Sequence, residues 1–567
     1  MPPAFIILGE ATLPRFLLSL IRGETPEILA VAPLLPWLRA PLDRLAAWAK
    51  ASGRARDAGR LAPGVAELKG SLLHYHDVFG RAESWHDAHF RFDAAEARLG
   101  ALAMAYKHAT CNDVVRHFRA VLILDAIARA QGCAPRVDGA DPDLLGLFAA
   151  FAGLPVDGQP VRAPRRLINA VTALMVMAYC LGWMARRIRL APPPAEAVFL
   201  AADFLKDPRD YGIYDDAAEG GTVLLVMRNR DFSTAEIPEL APYATAHSDE
   251  GWLGVGAALS SLGGVAAELW RLWRFAGSRS PTHFGRLATL PHKRLKYRAL
   301  FARFRPAFFF GRDDYNTDHI LRRQELVRLG GRSLGVNHSI PNVACIQPMW
   351  RYISFDTYYV FGRWVYETFY KSTWAADMEV RAVGSFGFTR DMHRRFREAG
   401  SRPKDVVVFT DNSAGLATTL ALVRGLAEAL PDRDILLQVR GLRQEANRAF
   451  VAACTEGLGH VRYCPVPAYE LLPLAGYAVS DASAVVVEAI QAGLVTYFMD
   501  MMPVHPSCMF RPFPDLVVTS AAQVAERIRA HEDGTHPYPR EKFGGLVDLT
   551  GRVYLDEIRK DLGLAAK

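Results

Sequence analysis

The sequence predicts an α/β protein: two Rossmann-like halves preceded by a mostly helical N-terminal module. Three observations carry this expectation. At 567 residues the chain is too long for one ordinary core, and its length suggests roughly three domains. From Val198 onward, short β-rich runs ("VFLAA", "TVLLVM", "AFFFG", "SLGVN", "TYYVFG", "EVRAVG") alternate with helical stretches. After Pro403 the alternation starts again with "DVVVFT", "DILLQV", "HVRYC", "YAVSDAS", "VTYFMD" and "DLVVT". Strands alternating with helices argue for parallel sheets with right-handed crossovers, and two such runs argue for two halves.

Taken in order, residues 1–160 form the N-terminal module. "AFIILGE" reads as a first strand and "EILAVAPLLPWL" as a second leading into a loop. "AAEARLGALAMAYKH" and "DVVRHFRAVLILDAIARAQG" have helical apolar spacing, with Gly132 at a helix C-terminus. Residues 161–194 hold an apolar helix and a proline linker, "APPPAEA". Leu167–Ala185 is 19 residues long, interrupted only by Asn169 and Thr172, with two arginines at each end. Three readings stay open: a helix buried in protein, an interfacial helix or re-entrant hairpin anchored by arginine, and a true span. Positive charge on both flanks gives a span no orientation. A second apolar helix, Trp252 to Gly277, packs in the first half's core or touches a membrane surface. The first, acceptor-side half is expected over 195–395 and the second, donor-side half over 396–567.

Composition narrows the function classes. Half the residues are hydrophobic, so a packed globular protein is expected rather than disorder. The net charge of +7 is small but clustered, at Arg165, Arg166, Arg186, Arg187 and Arg189 and again at Lys293, Arg294, Lys296 and Arg298. Such clusters favour phosphates of nucleotides or lipid headgroups. Nucleic acid is not an expected partner, because no recognised binding motif accompanies them. The seven cysteines are scattered and never form CxxC, which argues for a reduced, cytosolic chain without a disulfide framework or zinc knuckle. "MPPAFIILGEATLPRF" lacks the basic and apolar regions of a signal peptide.

The segment "SDASAVVVEAIQAG", Ser480 to Gly493, carries the clearest chemistry. It places small residues between a strand and a helix. Ligands of open α/β sheets sit at such strand ends, and the free N–H groups and dipole of a helix N-terminus favour an anion. Ser480 and Ser483 are small enough to let a phosphate approach. Glu488 lies on an otherwise apolar face; a buried carboxylate needs a partner, and a ribose diol suits it. The plainer reading is that Asp481 or Ser483 caps the helix. Upstream, "FFFGRDDYN" offers Asp313 and Asp314 where a strand-end loop meets a helix. Either can act as a base on an acceptor hydroxyl or serve as a helix cap. The His/Asp-rich "HYHDVFGRAESWHDAH" (His74, His76, Asp77, His86, Asp87, His89) lacks an i, i+4 pair of histidine ligands, and no metal is assigned to it.

Strand, S-x-x-S, a helix with Glu five residues on, Gly after another five, then a further strand resembles the donor-site segment of GT-B-fold glycosyltransferases. The resemblance implies that Ser480 and Ser483 face donor phosphate and Glu488 the ribose. "GRSLGVNHSIPN…SFDTYYVFG" is similar to the surface-polysaccharide branch of that superfamily, including CDP-glycerol glycerophosphotransferase-like and Kdo-transferase-like proteins. The matching residues are Asn337-His338-Ser339, Asp356 and Val360-Phe361-Gly362, followed by "AVGSFGFTRD" between the halves. Ser339 stands where those proteins carry glycine. His338 is then a base, a phosphate ligand or a core histidine.

Thr410, Asp411, Asn412 and Ser413 follow the second half's first strand, so Thr410 and Asn412 can contact the donor. Where many relatives carry K-x-H-P, this chain has "LLQVRGL", with Gln438 and Arg440; the guanidinium of Arg440 suits a phosphate. The resemblance implies no bound cofactor or metal. It also implies a CMP-, CDP- or UDP-linked donor as substrate, and a surface glycan or lipid-linked molecule as acceptor. The expected location is the cytoplasm, with peripheral contact at the inner face of the membrane through residues 165–189. A CDP-polyol phosphotransferase, a nucleotide-sugar epimerase and a non-catalytic scaffold on the same fold are the alternatives.

Overall fold

A computed structural model of the chain describes residues 4–8, 12–31, 38–62, 72–133, 135–154, 164–203, 207–228, 237–312, 314–337, 348–398, 403–410, 416–439, 445–481, 483–500 and 510–566. It is an α/β protein built on three parallel sheets. The N-terminal module is mainly helical, and its strands β1 (Ala4–Leu8), β2 (Glu27–Val31), β3 (Arg56–Asp57) and β4 (Arg136–Asp138) form a sheet in the order β3-β2-β1-β4. The last two strands have only two and three residues, too short to leave an alternating pattern in the sequence.

A short ladder joins β5 (Ile188–Arg189) to β9 (Leu253–Gly254). The central sheet holds β6 (Glu196–Asp203), β7 (Val223–Met227), β8 (Ala244–His247), β10 (Phe304–Gly311), β11 (Arg332–Val336), β12 (Thr357–Val360) and β13 (Glu379–Ala382). Its order is β13-β12-β11-β10-β6-β7-β8. The direction of winding reverses between β6 and β10, which opens a crevice at their carboxyl ends. The third sheet holds β14 (Val406–Thr410), β15 (Ile435–Val439), β16 (Val461–Tyr463), β17 (Tyr477–Ser480), β18 (Val495–Met499) and β19 (Val517–Val518) in the order β16-β15-β14-β17-β18-β19. Its reversal lies between β14 and β17.

The central strands contribute side chains to two separate cores, which is how the layers join. Val198 and Ala201 of β6, with Phe309 of β10, share one continuous core with Phe79, Phe92, Leu99 and Tyr106 of the N-terminal module. Leu200 and Phe310 face the other way. They meet Val486 and Ile490 of the 485–492 helix and Tyr554 and Ile558 of the C-terminal 554–561 helix. The chain end thus returns to the central sheet. It passes so close to Gly362 that a Cβ there would lie 2.3 Å from the Gly545 carbonyl oxygen.

Candidate functional site

One segment, the connection Gly384–Gly387 between the central and third sheets, meets the residues that follow β6 and β10 on one side and the helix that follows β17 on the other. On the third-sheet side, Thr410 ends β14 and Ser480 ends β17, with Phe409 and Ser480 in register. Thr410 Oγ1 donates to Asp481 Oδ2 at 2.9 Å, and Ser480 Oγ donates to the Asp481 carbonyl at 2.9 Å. Asp481 is therefore tied sideways to β14 and does not cap the helix. Ser483 Oγ accepts weakly from Val485 N at 3.5 Å, and the N-cap residue Ala484 supplies no side-chain cap. Thr410 and Ser480 are buried, so of these three hydroxyls only that of Ser483 is partly exposed at the start of the helix.

Glu488, in the first turn of the helix, points to the connection. Ser385 Oγ donates to Glu488 Oε1 at 2.8 Å, and Ser385 N donates to Gln491 Oε1 at 2.8 Å. Burial raises the Glu488 pKa, opposed by the Ser385 hydrogen bond and by the charge of Arg209. The partner that this buried carboxylate needs is supplied inside the protein, by a serine 103 residues away.

On the central-sheet side, Asp207, Arg209 and Asp210 follow β6 and Arg312 follows β10. Arg312 donates to Asp210 Oδ1 and to Asp207 Oδ2, both at 2.9 Å. Arg209 forks onto Asp207, with Nη2 at 2.6 Å from Oδ2. Both guanidiniums lie over the Phe386 ring, 4.4 and 4.7 Å from its centroid. Burial pushes Asp210 up to about 6 even against Arg312. Burial also pushes Asp207 up, but Arg209 and Arg312 more than offset it and leave it low. Arg209 keeps 39% of its side chain exposed and faces Glu488 across the connection. These residues escaped the sequence reading. The available signal was "DPRD" directly after a strand, where a crevice residue belongs.

Other expected residues fall elsewhere. Asp314 is fully buried and accepts from the Tyr358 hydroxyl at 2.6 Å. It is not a helix cap: Asn316 Oδ1 takes the Asp318 N–H at 2.9 Å instead. Beside it, His108 of the N-terminal module bonds Thr317 Oγ1 and the Met349 carbonyl, both at 3.0 Å, and burial lowers its pKa to about 3. His338, Asp313, Asn412 and Arg440 lie outside the described residues. Asp356 is a pin between strands, accepting from Ser333 N at 2.7 Å and Arg323 Nε at 3.0 Å.

In the His/Asp-rich segment, His86 meets Asp87 and His89 meets Asp143; the side chains of His74, His76 and Asp77 lie outside the described residues. Among the described residues, no three His, Cys, Asp or Glu side chains converge as metal ligands do. The second basic cluster is used internally. Lys293 pairs with Asp318, Arg294 with Glu268 and Arg298 with Glu325, and Lys296 donates to Ser248.

No family profile matches the sequence, and no curated protein sequence matches it. Solved structures to which the chain is similar include MurG from Acinetobacter baumannii, with 11% identity over 65% of this chain and 99% of that one and a TM-score of 0.36. Another is the wall teichoic acid polymerase TagF, with 11% identity, coverage of 70% and 95%, and a TM-score of 0.36. A third is UDP-GlcNAc 2-epimerase from Neisseria meningitidis bound to UDP-GlcNAc, with 6% identity, coverage of 65% and 99%, and a TM-score of 0.38.

Proposed function

We propose that the chain is a glycosyltransferase that moves a sugar from a CMP-, CDP- or UDP-activated donor to a surface-glycan or lipid-linked acceptor. One observation carries the reading: the same connection meets the helix that follows β17, through Glu488, and Arg209, which follows β6. Sugar transfer breaks the bond from the anomeric carbon to the donor phosphate, so the enzyme must stabilise negative charge growing on the leaving nucleotide. Backbone N–H groups at the start of the 485–492 helix, with the hydroxyl of Ser483, receive that phosphate, while Thr410 and Ser480 fix Asp481 behind them. Arg209 supplies positive charge, and Arg440 and Asn412, next in sequence after β15 and shortly after β14, are assigned as further donors. Glu488 orients the ribose with the oxygen not given to Ser385. His338 or Asp313, on loops after β11 and β10, removes the proton of the acceptor hydroxyl. Buried Asp314 instead accepts from the Tyr358 hydroxyl.

The test is release of free nucleotide from activated donors presented one at a time. The reading expects slow release from at least one CMP-, CDP- or UDP-linked sugar, and a loss of about 100-fold in Arg209→Ala. Release that is equal in wild type and Arg209→Ala contradicts the assigned site. No release or transfer from any such donor contradicts the activity.

A further inference from the structure

The apolar, arginine-flanked helix Arg165–Ala185 is not buried in the protein; it lies on the surface beside the helix Val255–Ala276. The two run antiparallel. Near one end Trp273 Nε1 donates to the Arg166 carbonyl at 3.0 Å, and Asn169 Nδ2 donates to the Gly277 carbonyl at 2.9 Å. At the other end, Leu253 N donates to the Arg187 carbonyl at 3.1 Å. Only one stripe of the first helix is fully buried: Asn169, Cys180, Trp183 and Met184. Its opposite stripe faces outward, with Leu167 65%, Leu174 70%, Met175 57% and Leu181 48% exposed.

The second helix continues this surface. Its outward stripe runs through Gly256, Leu259, Gly263, Ala266, Ala267 and Trp270, at helical spacing and without a charge. Leu259 is 63% exposed and Trp270 57%. A solvated helix face ordinarily carries charged residues, and two adjacent faces without one form an apolar patch of the kind that marks an interaction site.

The charges at the ends identify the occupant. Exposed Arg166, Arg271 and Arg274 sit at one end of the pair, and exposed Arg186 and Arg189 at the other. The first helix contains no acidic residue, and the one acid of the second, Glu268, is taken by Arg294. An uncharged strip about 32 Å long, ringed by arginine and carrying a tryptophan, is complementary to a bilayer surface with anionic headgroups. The lateral hydrogen bonds of Asn169 and Trp273 hold the helix flat against the body, which suits an interfacial position rather than a span.

We propose that the 165–185 and 255–276 helices together form a docking surface for an anionic lipid bilayer. The proposal goes beyond the transferase reading and does not depend on it, because lipid binding is measured without a donor. The experiment is flotation of the full chain with vesicles of phosphatidylcholine alone and of phosphatidylcholine with phosphatidylglycerol. The wild type floats with the anionic vesicles, and added salt weakens this. L174E/M175E, changed only at exposed positions, binds at least about tenfold more weakly while keeping its melting temperature. R271E/R274E loses about tenfold on anionic vesicles and little on neutral ones. Flotation of L174E/M175E equal to wild type overturns the proposal, as does a folded wild type that binds neither vesicle. A wild-type dimer that L174E/M175E converts to monomer, with no lipid binding, also overturns it by assigning the face to a second copy of the chain.

Discussion

Glu488 shows what a single residue reveals and hides. Its place in the helix after S-x-x-S was legible; its partner Ser385 was not, because no local pattern links positions 103 residues apart. Burial raises its pKa, so the folded state favours the protonated acid. Its contribution to stability is therefore fully present below the ordinary glutamate value and is lost as pH rises through the raised one. Glu488→Gln keeps an acceptor for Ser385 and removes the titration. The melting temperature of the variant relative to wild type should rise between pH 4 and pH 8, as read by calorimetry at each pH; a falling difference would refute this. Asp87 behaves in the opposite sense. Burial pushes it up, but hydrogen bonds from Arg351 and His86 more than offset this and hold it at about 2. Both Arg351 nitrogens donate to it, at 2.6 and 2.5 Å. Its stabilisation is present above the ordinary aspartate value and disappears as pH falls towards about 2. Asp87→Asn should cost about 3 kcal/mol at pH 7 in urea unfolding, a cost that shrinks below pH 4 and is mostly gone only near pH 2.

At the scale of elements, the strands of the central and third sheets were legible because buried parallel strands are nearly continuous apolar runs. β8 was not, since "ATAH" on a sheet edge lacks β-branched density. The long apolar helix at 165–185 could not be placed from sequence, because a buried helix, an interfacial helix and a span share its length and composition. Its exposed stripe appears only once its neighbours are in place. The connection between the sheets is equally tertiary. Gly384 has φ of +75°, and a Cβ there would lie 1.9 Å from Gln491 Nε2. Gly384→Ala should destabilise by about 2 kcal/mol in urea unfolding, with partial recovery when Gln491 is also truncated to alanine. Full tolerance would mean that the connection is not held as described.

Across the whole molecule, the N-terminal module is not an appendage. Its Phe79, Phe92 and Tyr106 share a core with the face of the central sheet opposite the crevice. A chain beginning at residue 195 would expose that face, so it should be recovered aggregated or with a broad, non-cooperative melt. The sequence could not say this, because contacts between residues some 200 positions apart leave no periodic trace. The proposed crevice lies away from that shared core, where Glu488 faces Arg209 across the connection.

The central claim, that this crevice receives a nucleotide phosphate, is tested most directly by thermal protection of the full chain with CMP, CDP, UDP and GDP. The account predicts that at least one pyrimidine nucleotide stabilises the wild type, by about 2.7 kcal/mol at a hundred times its dissociation constant, and that Ser483→Asp abolishes this through like-charge repulsion. No stabilisation by any nucleotide at millimolar concentration, or equal stabilisation of Ser483→Asp, would contradict it.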